Sequence, residues 1–137
     1  HCSYSLIKQP NPVRLLTYLI SLQKNYGTEQ LNEFKNKYSI KDFSNTLDLN
    51  NDFVDTAALI KSMDLVITPC TAVAHLAGAL GTRVWILLQY APDWRWLEKG
   101  KKTNWYRSMK IYRQSKLNDW EGVFKQVFID LKTIVKK

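Results

Sequence analysis

Cys70, Thr71, Ala72, Val73, Ala74 and His75 are consecutive, and their types and order can do chemistry. They follow a short apolar run at 64–69 and open a stretch with helical spacing, 71–80, that Gly81 closes. The first turn of a helix leaves backbone N–H groups without partners, and the aligned peptide dipoles place positive charge there. Ala72, Val73 and Ala74 are small, so an anion can approach that backbone closely. A phosphate or diphosphate is the ligand such a start takes. His75 sits one turn after Thr71 on nearly the same face, where it can meet phosphate as a cation or donate to a sugar hydroxyl. Plainer readings stand beside these. Most helix starts in α/β proteins bind nothing, and a helix histidine is as readily a packed structural residue. Cys70 just before the helix admits a thiol nucleophile assisted by His75, or simply a small buried cysteine.

A second group lies in 91–106. Pro92-Asp93-Trp94-Arg95-Trp96 and Trp105-Tyr106 make this loop aromatic, and four of the five tryptophans fall between 85 and 105. Trp94 can stack on a base or a sugar ring. Arg95 and, further on, Arg113 can line the same cleft. Asp93 can act as a general base or hold a ribose, and it can equally pair with Arg95. For most of these aromatics the plain reading is a satellite core that packs the loop onto a sheet.

The elements that must position these residues follow from periodicity. The spacing predicts a strand at 3–8, a helix at 12–25, a short helix near 29–37 and a short strand at 46–49. Asp55 is placed to cap a helix at 56–62. The runs 64–69 and 83–88 read as strands buried on both faces. A last strand is expected at 109–112 and a helix capped by Asp119 after it, with Val123, Phe124, Val127, Phe128, Leu131, Ile134 and Val135 as its apolar side. Buried strands alternating with helices mean an α/β domain with a parallel sheet, and ligands in such sheets sit beyond the carboxyl ends of the strands. Three segments converge there: 68–75, 89–96 and 113–114.

The bulk numbers fit one globular domain over 1–137, with 45% hydrophobic and 23% charged residues. Two cysteines, Cys2 and Cys70, make neither a disulfide framework nor a zinc site, so the expectation is a reduced, cytoplasmic protein without a metal or another cofactor. No apolar stretch is long enough for a transmembrane segment. The net charge of +8 suits an anionic partner, but much of it is lysine scattered along polar faces (Lys35, Lys37, Lys41, Lys99, Lys101, Lys102, Lys136, Lys137), the pattern of a solvated surface rather than of a specific nucleic-acid footprint.

Taken together, Asp55-Thr56-Ala57-Ala58-Leu59-Ile60, Asp64-Leu65-Val66-Ile67, the string from Thr71 to Gly81, Val84-Trp85, Pro92 to Leu97, Trp105-Tyr106 and Tyr112-Arg113-Gln114 resemble the C-terminal region of bacterial tetratricopeptide-repeat proteins. Those proteins end in a domain similar to glycosyltransferase family 9, the heptosyltransferase family. The likeness is strong over 52–122 and holds only in element order before that. It implies a GT-B fold of two facing Rossmann-like domains, of which this would be the C-terminal, donor-binding one. The implied partner is a nucleotide-diphosphate sugar, held by Cys70, Thr71, Ala72, Val73 and His75 with Asp93, Trp94, Arg95 and Arg113 around it. Thr71 and His75 match the family's pattern. Cys70 stands where the family has Asp and Ala72 where it has Gly, so no carboxylate reaches the sugar from position 70. The family's first strand and its N-terminal domain, which would hold the acceptor and carry the general base, have no counterpart here; a missing domain or a partner chain would supply them. The resemblance thus implies a glycosyltransferase half that moves a sugar to an acceptor hydroxyl, with a scaffold that keeps only the fold as the alternative.

Overall fold

The computed structural model describes residues 4–8, 17–24, 30–35, 38–50 and 52–135. Its center is one six-stranded sheet. The strands are β1 (Tyr4–Lys8), β2 (Thr17–Ser21), β3 (Ile40–Asp42), β4 (Leu65–Pro69), β5 (Val84–Leu88) and β6 (Met109–Arg113). The helices are α1 (Gln30–Lys35), α2 (Val54–Lys61), α3 (Ala72–Ala79) and α4 (Trp120–Val135).

The strand order is β3-β2-β1-β4-β5-β6. The chain winds one way from β1 to β3 and the other way from β4 to β6, so its direction switches between β1 and β4. The expected all-parallel sheet needs a correction there. β2 pairs with β3 in parallel, as do β4 with β5 and β5 with β6, but β1 is antiparallel to both of its neighbours. Five strands therefore point the same way, and β1 opposes them between two parallel blocks. The carboxyl ends of β2, β4, β5 and β6 still share one edge, because Tyr4 of β1 lies opposite both Ser21 and Ile67.

Side-chain alternation gives each sheet face its own core. Val66, Val84, Ile86, Leu88, Met109 and Ile111 point to the face covered by Ile60 of α2 and by Ala74 and Ala77 of α3. Leu65, Trp85, Leu87 and Tyr112 point to the other, where Val123 and Val127 of α4 cover them. All five residues of β5 are buried, as its apolar run predicts. Fully burying one such aliphatic side chain contributes about 1.5–3 kcal/mol.

Three expectations fail for identifiable reasons. The helix at 12–25 gives way to a strand over Thr17–Ser21, and its first residues lie outside the described ones. Tyr18, Leu19 and Ile20 carry aromatic and branched side chains that a sheet accepts as readily as a helix does. The strand at 46–49 is a turn, and the strand of this region is Ile40–Asp42. Asp48 within that turn takes a left-handed φ of 47°. Its carboxylate then accepts from the backbone N–H groups of Asp55 (2.8 Å) and Thr56 (3.1 Å) and from the Thr56 hydroxyl. Asp55 is thus not the cap of α2. It lies in the first turn, and its carboxylate returns a bond to the Asp48 N–H at 2.9 Å. At α4 the expected cap is present: Asp119 accepts from the Gly122 N–H at 3.1 Å.

Candidate functional site

The helix start after β4 sits at the carboxyl edge of the sheet, beside the point where the winding reverses. Thr71 occupies the N-cap position with extended backbone (φ −136°, ψ 171°), yet its side chain makes no capping bond to α3. Its hydroxyl lies 3.1 Å from that of Thr68, a fully buried residue at the end of β4. The first turn of α3 is therefore left without a side-chain cap, and Cys70 and Ala72 beside it are exposed. Those are the conditions under which a helix start takes an anion: free donors, small side chains and access.

His75 is held from two sides. Its ring stacks on Trp96 with centroids 5.1 Å apart and 29° between planes, and its Nδ1 lies 3.1 Å from the Tyr106 hydroxyl. Tyr106 can come that close only because residue 78 is glycine; a Cβ there would lie 2.6 Å from the Tyr106 ring. Trp96 is fully buried, and its indole N–H donates to the Cys70 thiol at 3.1 Å. Cys70 itself is exposed rather than buried. Among the described residues no hydrogen bond joins the thiol to the His75 ring: the thiol meets the Trp96 indole and the ring meets the Tyr106 hydroxyl.

The 91–106 loop reaches this spot through one 3-10 turn, Trp94–Trp96, started by Asp93, whose carboxylate accepts from the Arg95 N–H at 3.0 Å. The same carboxylate pairs with the Arg95 guanidinium at 2.8 Å, so Asp93 and Arg95 satisfy each other. Arg113, at the end of β6, turns under the loop. Its guanidinium donates to the carbonyls of Trp96 (2.8 Å), Leu97 (2.6 Å) and Glu98 (2.5 Å). Burial lowers its pKa from the ordinary arginine value. Arg113 therefore fixes the backbone that carries Trp96 and does not offer its charge to a ligand. Gln114 adds a second tie by accepting from the Tyr90 N–H at 3.1 Å.

The structure thus joins the three segments expected to converge. Cys70, Thr71, Ala72, Val73 and His75 form the helix start, Trp94 and the Asp93–Arg95 pair stand on the loop beside it, and Arg113 braces that loop from below. Trp96 and Tyr106, the side chains that touch Cys70 and His75, are the working residues that spacing alone did not single out. The unusual aromatic density of the loop was their signal. Among the described residues there is no cluster of three or more His, Cys, Asp or Glu able to hold a metal ion, and no helix long and apolar enough to cross a membrane. No family model, curated protein or solved structure matches this chain.

Proposed function

We propose that this chain is the donor-binding domain of a two-domain glycosyltransferase of the GT-B type and takes a nucleotide-diphosphate sugar at the start of α3. The observation that carries the reading is the uncapped, exposed helix start at the carboxyl edge of β4, next to the switch in winding direction. The diphosphate would lie on the backbone N–H groups of Ala72 and Val73, with Thr71 and His75 beside it. In the transfer, an acceptor hydroxyl oxygen bonds to the anomeric carbon while that carbon's bond to the diphosphate oxygen breaks, and the nucleoside diphosphate leaves with the electron pair. The helix start would stabilise the charge gathering on that leaving group. The hydroxyl proton needs a base, which the family resemblance places in the facing domain.

A second reading, a binding or scaffold module without chemistry, is favoured by two specific features. The carboxylate of Asp93 is engaged by Arg95, and position 70 supplies a thiol where the resemblance expects a carboxylate. Calorimetric titration with a panel of nucleotide-diphosphate sugars and the bare nucleoside diphosphates separates these readings from no site at all. Donor binding predicts saturable heat for at least one pair, lost in Ala72→Asp, which sets a carboxylate in the anion's place. Absence of binding across the panel would remove the donor site.

A further inference from the structure

The apolar side that spacing gives α4 is wider than the sheet face it covers. Val123 and Val127 are buried in one cluster with Trp85 and Tyr112, and Leu131 and Ile134 pack beside them. Phe124 and Phe128 stand 57% and 56% exposed, and Trp120, one turn earlier, is exposed as well. Positions 120, 124 and 128 are four apart, so they form one stripe along the helix. The stripe is ordered: the Trp120 and Phe124 rings lie 6.3 Å apart, and the Lys132 ammonium stands over the Phe128 ring at 4.3 Å. The charges beside it are mostly of one sign. Glu121, Lys125 and Lys132 are exposed on this side, and Lys136 and Lys137 follow in the sequence. Asp130 does not offset them, because Lys110 and Tyr112 engage its carboxylate. The cavity beside α4 opens on the helix's other side, lined by Asp119, Gly122 and Gln126, so the stripe is a ridge and not the wall of that cavity.

We infer that α4 docks on an anionic lipid surface, with Trp120, Phe124 and Phe128 in the headgroup layer and Lys125 and Lys132 on lipid phosphates. An interfacial helix combines an apolar stripe with flanking lysines, and its affinity comes from buried apolar area plus attraction to anionic lipid. Tryptophan suits that layer because one end of the ring is apolar and the other donates a hydrogen bond. Lysine stems run along the aromatic rings while their ammonium groups reach the phosphates. A fluid surface closes around a ridge without needing a matching groove. Charge argues against a second copy as the occupant: two such faces would set lysines against lysines, with Glu121 as the one exposed carboxylate each side brings. The chain's net charge of +8 favours the anionic surface in the same sense. Because α3 and α4 cover opposite faces of the sheet, this docking is independent of any ligand at the α3 start.

The test is co-sedimentation of the full chain with vesicles of phosphatidylcholine alone and of phosphatidylcholine mixed with phosphatidylglycerol, alongside size-exclusion chromatography without lipid. The chain is expected to sediment with the mixed vesicles, far less with the neutral ones, and less as salt rises. Phe124→Ser and Phe128→Ser should each weaken partitioning about tenfold. Lys125→Gln and Lys132→Gln, exposed changes that leave the core alone, should each weaken it about fivefold. The pair Lys61→Gln and Arg83→Gln removes two charges outside α4 and should leave it nearly unchanged. Failure to bind mixed vesicles overturns the inference, as does binding that survives both the phenylalanine and the lysine substitutions. An equal loss in the Lys61 and Arg83 pair also overturns it, because net charge alone would then be acting. A chain that elutes as a dimer until Phe124 and Phe128 are replaced overturns it in favour of a second copy. Retention on immobilised polyglutamate through Lys125 and Lys132, without vesicle binding, overturns it in favour of an acidic protein.

Discussion

At the scale of single residues, the site depends on side chains that bind other parts of the chain rather than a ligand. Arg113 is the clearest case. A guanidinium can fork toward three carbonyls of one loop, whereas an ammonium is a point charge that cannot span them. Arg113→Lys should therefore destabilise the chain by about 1–3 kcal/mol in urea unfolding. It should also raise the alkylation rate of the Cys70 thiol severalfold, because Trp96 loses the backbone that holds its indole on the sulfur. Unchanged stability and unchanged alkylation together would show that the three bonds do not hold the loop. None of this was legible in the sequence, where Arg113 reads as one more cation near an anion site. Its partners are backbone carbonyls some sixteen positions away, and carbonyls are present at every residue.

At the scale of elements, what periodicity could show was the unit β4–α3–β5. Asp64 to Leu88 contains two uninterrupted apolar runs and a closing Gly81, with φ at +74° as a helix stop requires. The sequence was less informative where the deciding contact is distant. Nothing in the helix's own spacing marks Gly78, yet it makes the room for Tyr106. Gly78→Ala should cost about 1–3 kcal/mol from overpacking in thermal or urea unfolding, despite the gain in helix propensity. A stabilised variant would mean that Tyr106 does not rest on α3. The cap of α2 is a similar case, since Asp48 acts seven residues upstream of the first N–H it binds. Burial opposes its ionisation, but the hydrogen bonds from Thr56 and Asp55 and the charge of Lys24 hold its carboxyl below the ordinary aspartate value. A carboxyl lowered in the folded state adds stability that is full above the ordinary value near 4 and is lost as pH falls through the lower folded one. Asp48→Asn should thus cost about 1–2 kcal/mol at pH 7 and show a smaller further loss than the wild type on acidification to pH 3. Parallel urea series at the two pH values check this.

At the scale of the whole molecule, the winding of the sheet places one helix start at the middle of one edge, and the aromatic loop and β6 close around it. A parallel sheet could be anticipated from alternating buried runs, but the strands at Thr17–Ser21 and Ile40–Asp42 and the reversed sense of β1 could not, because a five-residue strand reads the same in either direction. The central claim is that the first turn of α3 receives a diphosphate, and amide NMR on the uniformly labelled chain tests it most directly. Titration with a nucleoside diphosphate should move the N–H signals of Ala72, Val73 and Ala74 saturably, together with the His75 ring, while the free nucleoside moves them far less. Amides of the α3 start that stay still at saturating nucleoside diphosphate, or shifts confined to another part of the chain, would contradict the account.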